Sequence, residues 1–128
     1  MTIGVGAIVV QRYLSADERR LVQALIRLSG QQLPADTEAL ARVRVSPMED
    51  GGMGSLRFEQ KADRPLFGRE ISQVTFHDLD GVPVLASLSI SAADELHELD
   101  MFKGDFSPLL RIAADFDPFP PGASDRSP

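Results

Sequence analysis

A chain of 128 residues, 43% hydrophobic and 25% charged, is long enough to bury a core as one domain without covalent staples. It has no cysteine, which excludes disulfides, thiolate metal sites and a cysteine nucleophile, and no apolar run approaches the roughly 20 residues that span a bilayer. The net charge of −6 argues against nucleic acid as a direct partner, and the apolar start, MTIGVGAIVVQ, lacks the basic segment of a signal peptide, so a soluble, cytoplasmic protein is expected.

Residues 1–11 form a short strand or an arm, residues 12–116 one domain, and residues 117–128 a disordered tail, because the closing DFDPFPPGASDRSP is rich in proline, serine and glycine. The first clear element is a helix from about Ala16 to Ser29. Ser15 is a good N-cap, Glu18 completes a capping box, and Gly30 is placed to end the helix. Leu21, Val22, Leu25, Ile26 and Leu28 supply its buried stripe, leaving Arg19, Arg20 and Arg27 largely to solvent. Pro34 stops any continuation, although Leu40 can belong to a short helical turn. Val43 and Val45 alternate with Arg42 and Arg44 in a strand that ends before Pro47. Asp50-Gly51-Gly52 then turns the chain into Met53–Gln60, where Leu56 and Phe58 alternate with Arg57 and Glu59.

Lys61–Arg69 reads as a loop, and about Glu70–Asp78 as the next strand, with Val74 and Phe76 facing the core. Loop length decides the following register. A two-residue Asp80-Gly81 turn would set His77 against Val84. A three-residue Leu79-Asp80-Gly81 loop, with Gly81 left-handed in a bulge, pairs Phe76 with Val84 and Val74 with Ala86 instead, and is preferred. Val84, Ala86, Leu88 and Ile90 then point inward, and Leu85, Ser87 and Ser89 outward. The strand Leu96–Lys103 returns with Leu99 and Met101 on the core side. Asp100 then lies across from Ser87, Glu98 from Ser89 and Phe102 from Leu85. The expected fold is α+β: an N-terminal helix packed on a mostly antiparallel meander sheet of about five strands.

No catalytic, cofactor or metal site is predicted. Asp50–Ser55 is glycine-rich but lacks the lysine and following helix of a phosphate-binding loop. Glu98 and Asp100 share a strand face, yet nothing sets two carboxyls across a cleft. His77 and His97 have no ligand spacing, and His97 reads as a satisfied, half-buried histidine. No nucleophile elbow is present, so enzyme activity is not expected. Residues 78–117 carry nine acids against Lys103 and Arg111, a net of −7, while the remainder is near neutral. This asymmetry, with apolar side chains bordered by acids, suits a protein-binding patch made of Ser87, Ser89, Glu98, Asp100, Phe102, Lys103 and Asp105.

The blocks RYLSADERRLVQALI, MEDGGMGSLRF, FHDLDGVPVLASLSI and ELHELDMFKGDFSPLLRI come in an order and spacing that resemble a family of small bacterial domains of unknown function. The resemblance spans about Arg12 to Ile112, and GGMGSL and the ELD-x-(aromatic)-K-x-DFSPL stretch carry it. Phe102 stands where many relatives are expected to have tryptophan. The family implies no activity, cofactor or metal. In size and acidity, though not in motif, the chain is also similar to immunity proteins that block a bacterial toxin by binding it. The expected function is therefore a protein that neutralises a cognate toxin, such as a basic nuclease, through its acidic C-terminal half. The alternative is a small-molecule or peptide-binding module that uses the glycine-rich hairpin and the DFSPL turn.

Overall fold

A computed structural model describes residues 10–61 and 66–120. The first residues of the expected arm, and the tail beyond Pro120, lie outside the described residues. In chain order the elements are β1 (Arg12–Tyr13), α1 (Ala16–Ser29), α2 (Thr37–Leu40), β2 (Arg44–Pro47), β3 (Leu56–Phe58), β4 (Phe67–His77), β5 (Pro83–Ser91), β6 (Leu96–Lys103) and β7 (Asp117–Pro118).

Local chemistry accounts for α1 at both ends. The Ser15 hydroxyl accepts from the Glu18 N–H, and the Glu18 carboxylate accepts from the Ser15 N–H at 2.8 Å. Gly30 closes the helix in the left-handed conformation. Glu18 also takes two hydrogen bonds from Arg12, at 2.7 and 2.9 Å, which ties β1 to the start of the helix. Leu21, Val22, Leu25 and Ile26 are buried against the sheet, where the Ser72 hydroxyl donates to the Leu25 carbonyl. Arg20 does not face solvent freely as expected. It donates to the carbonyls of Ile112 and Ala113 and lies over the Phe116 ring, so it fastens the C-terminal segment to the helix.

Among the described residues the sheet has seven strands in the order β1-β2-β3-β6-β5-β4-β7, every pairing antiparallel, where a meander of about five was expected. Two strands are only two residues long, too short to carry a periodicity. β3 pairs with β6 rather than β4, so the chain crosses the sheet between them in a Greek-key order. β7 pairs with Val74 and Thr75 in β4, which puts the start of the expected tail inside the fold. β4 begins at Phe67, earlier than the sequence suggested, because register shifts near Gly68 and Ile71 break its alternation. There the Gly68 backbone approaches the Ser91 carbonyl so closely that a Cβ would stand 2.5 Å from it.

The central register is the one expected. Phe76 pairs with Val84 and Val74 with Ala86, with Gly81 at φ 81°. Leu99 pairs with Leu88, Met101 with Ala86, Asp100 with Ser87, Glu98 with Ser89 and Phe102 with Leu85. The inner face packs against α1 in a single core. Among the described residues, no helix covers the outer face.

Candidate functional site

At one end of the sheet the motif divides, with Asp100, Phe102, Asp105 and Phe106 exposed and Lys103 pointing inward. Lys103 follows Leu99 and Met101 on the core side of β6 and is 0% exposed. Its ammonium donates to Asp80 at 2.6 Å and to the Pro108 carbonyl at 3.0 Å, and it stands 2.9 Å from Asp78. Three acceptors therefore meet its three N–H bonds. Asp78, also buried, accepts from the N–H groups of Leu79 (2.7 Å), Leu110 (2.8 Å) and Arg111 (2.9 Å). Burial alone would raise its carboxyl. The Leu110 N–H, the Lys103 ammonium and the N–H groups of Leu79 and Arg111 outweigh that and hold its pKa at about 2. Burial would likewise lower the Lys103 ammonium, but Asp80 and Asp78 overcome it and raise the pKa. The result is a buried clasp that joins the β4–β5 turn, the end of β6 and the DFSPLLR segment.

The glycine-rich loop closes over the same segment. The Leu109 N–H donates to the Gly52 carbonyl at 2.9 Å. A Cβ on Gly52 would lie 3.3 Å from Pro108, and one on Gly54 3.0 Å from Leu109. The space between this hairpin and the DFSPL turn, suggested by the sequence as a ligand site, is thus filled by the protein itself. The loop is held by the Asp50 carboxylate, which accepts from the N–H groups of Met53 and Ser55. Buried Ser55 then extends the β3–β6 ladder with its side chain, accepting from the Met101 N–H at 2.9 Å and donating to the Met101 carbonyl at 3.3 Å. Sequence reasoning missed the roles of Ser55, Asp78 and Asp80. The available signal was the parity of Lys103 with Leu99 and Met101, which demands a buried counter-charge.

The seven residues expected at a binding patch are therefore divided. Lys103 is corrected to the interior. Ser87 and Ser89 do lie on the outer face, but at 9% and 7% exposure they are covered. The Gln73 amide donates to Ser87 at 3.0 Å, and the Ser89 hydroxyl donates to the Glu98 carbonyl. Glu98 is held by Arg57 from the neighbouring strand at 3.2 Å. Asp100, Phe102 and Asp105 remain exposed. The Phe102 ring meets Phe106 edge-on with centroids 5.2 Å apart. Phe106 is 67% exposed and sits at φ 63°, a left-handed conformation unusual for a bulky side chain. Beside these rings a shallow groove of about 230 Å³ is lined by Thr75, Pro83, Leu85, Phe102, Gly104 and Phe119.

His97 departs from the satisfied histidine expected. It is buried at the register shift of β6 beside Phe67, its Nε2 lies 3.9 Å from the Glu98 carboxylate, and its Nδ1 has no hydrogen-bond partner among the described residues. Among the described residues there is also no cluster of three metal-ligating side chains, and no helix is long and apolar enough to cross a membrane.

These features define a small α+β domain: among the described residues, a seven-stranded antiparallel sheet clasped at one end, with α1 on its inner face and an outer face carrying exposed aromatic and acidic side chains. The chain belongs to a family described as a domain of unknown function, DUF6984, whose profile matches residues 11–113. No curated protein and no solved structure matches it significantly.

Proposed function

We propose that the domain is a bacterial, cytoplasmic immunity protein, acting without catalysis, that binds and neutralises a cognate toxin through the outer face of its sheet. The observation that supports this reading is the placement of Phe102 and Phe106, two exposed rings in edge-on contact, beside Asp100 and Asp105. Among the described residues neither carboxylate forms an ion pair. Exposed aromatics are the side chains that anchor protein interfaces, and acids around them speed encounter with a basic partner such as a nuclease. Within the same motif, Lys103 is occupied in holding the fold together, while Asp100, Phe102, Asp105 and Phe106 stay exposed. The test is growth. A toxin encoded beside this gene should arrest cells, and co-expression of the intact chain should restore growth. Persistent arrest despite soluble, folded chain would overturn the reading.

A second reading, a small-molecule or peptide-binding module, is favoured by one observation. A cavity of about 620 Å³ opens between Leu33, Val43, Phe58, Gln60 and Leu96, within the size range of ligand sites. It lies away from the glycine-rich hairpin. A fragment screen that shifts the NMR signals of Phe58 and Leu96 saturably would support it, and a screen that leaves them unmoved would count against it.

A further inference from the structure

The groove beside Phe102 has a size and a charge environment that specify what it can hold. At about 230 Å³ it is smaller than the roughly 300–1,000 Å³ of small-molecule pockets, and it suits one large side chain. Its floor and walls are Pro83, Leu85, Phe102 and Phe119, with the Thr75 side of β4 completing it. Acids surround it. Asp100 shares the strand face of Phe102, Asp105 follows Gly104 in the turn, and Asp117 pairs with Thr75 across the β4–β7 ladder. The nearby cations are engaged elsewhere: Arg57 holds Glu98, and Lys103 is sealed on the opposite face.

Building on the immunity reading of this same face, we infer that the groove receives a single aromatic or large aliphatic side chain from the partner, flanked in the partner's chain by lysine or arginine. The apolar walls supply the anchor site, and Asp100, Asp105 and Asp117 receive the flanking cations.

Three synthetic peptides test this with the intact, isotope-labelled chain by NMR: acetyl-Lys-Arg-Trp-Arg-Lys-amide, its glycine-centred analogue, and acetyl-Glu-Glu-Trp-Glu-Glu-amide. Only the first should shift the amides of Thr75, Leu85, Phe102 and Gly104 saturably. Phe102→Ser should weaken that binding about tenfold or more. Joint Asp100→Asn and Asp117→Asn substitution should reduce its salt dependence. Absence of saturable shifts, equal shifts with the acidic peptide, or shifts confined to another face would overturn the inference. So would concentration-dependent shifts at the groove without peptide, since a second copy would then be its occupant. Toxin neutralisation that depends on this face, with no peptide binding, would sink the inference and leave the immunity reading standing. Peptide binding at the groove without neutralisation would do the reverse.

Discussion

Asp78→Asn is the sharpest perturbation of the buried clasp, because it keeps the shape of the side chain and removes its charge. In the native protein one carboxylate oxygen accepts from Leu79 and Arg111, and the other from Leu110 while facing the Lys103 ammonium. An amide has one NH2 group, so whichever way it is turned, a donor meets donors. Breaking a buried ion pair from one side costs about 3–5 kcal/mol, and because Lys103 keeps Asp80 the loss here should lie at the low end, about 3 kcal/mol. Set against a total stability of about 5–15 kcal/mol, a loss of about 3 kcal/mol should lower the urea midpoint by about a fifth to three-fifths. The same residue makes a pH prediction. Its pKa falls from 3.8 to about 2 on folding, so its contribution is present above the unfolded value and is lost as pH falls through the folded one. At about 1.36 kcal/mol per unit the shift is worth at most about 2.5 kcal/mol. The native protein should lose that increment between about pH 4 and pH 2. Asp78→Asn should show a flatter profile there. A loss below about 1 kcal/mol at neutral pH, with an unchanged acid profile, would refute the clasp as an energetic centre.

Two further outcomes follow from single side chains. Ser55→Ala orphans the Met101 N–H in a buried site and should cost about 1–3 kcal/mol in chemical denaturation. Phe106→Gly relieves a left-handed φ worth about 1–2 kcal/mol but gives up an exposed edge contact worth about 0.5–1.5 kcal/mol. Its stability should stay within about 1 kcal/mol of native while partner binding weakens, and a large loss of stability would mean that Phe106 serves the fold.

Much of the fold was legible because local chemistry decided it. The capping box and Gly30 bounded α1. The parity of Val84, Ala86 and Leu88 left only one sensible register across Leu79-Asp80-Gly81, and that register fixed Asp100 and Phe102 on the outer face. What was not legible depends on distant partners. The pairing of β3 with β6 and the two-residue strands β1 and β7 leave no periodic trace in the sequence. Lys103 was misplaced for a different reason. Its position on β6 was correct, and alternation already put it inside, but a lone lysine is expected at the surface unless its counter-charges are known. Asp78 and Asp80 are those counter-charges, and they come from a turn where aspartate is common for local reasons alone. The outer serines were placed on the right face, while their cover by Gln73 and Glu98 depends on side-chain packing that strand parity does not describe.

The central claim is that the outer face binds a partner while the clasp only supports it. The direct measurement is growth rescue from the cognate toxin by the Asp100→Lys, Phe102→Ser double variant, with circular dichroism and the urea midpoint recorded beside it. Both positions are exposed, so folding should be close to native and rescue should be lost. Undiminished rescue by the folded double variant would contradict the claim.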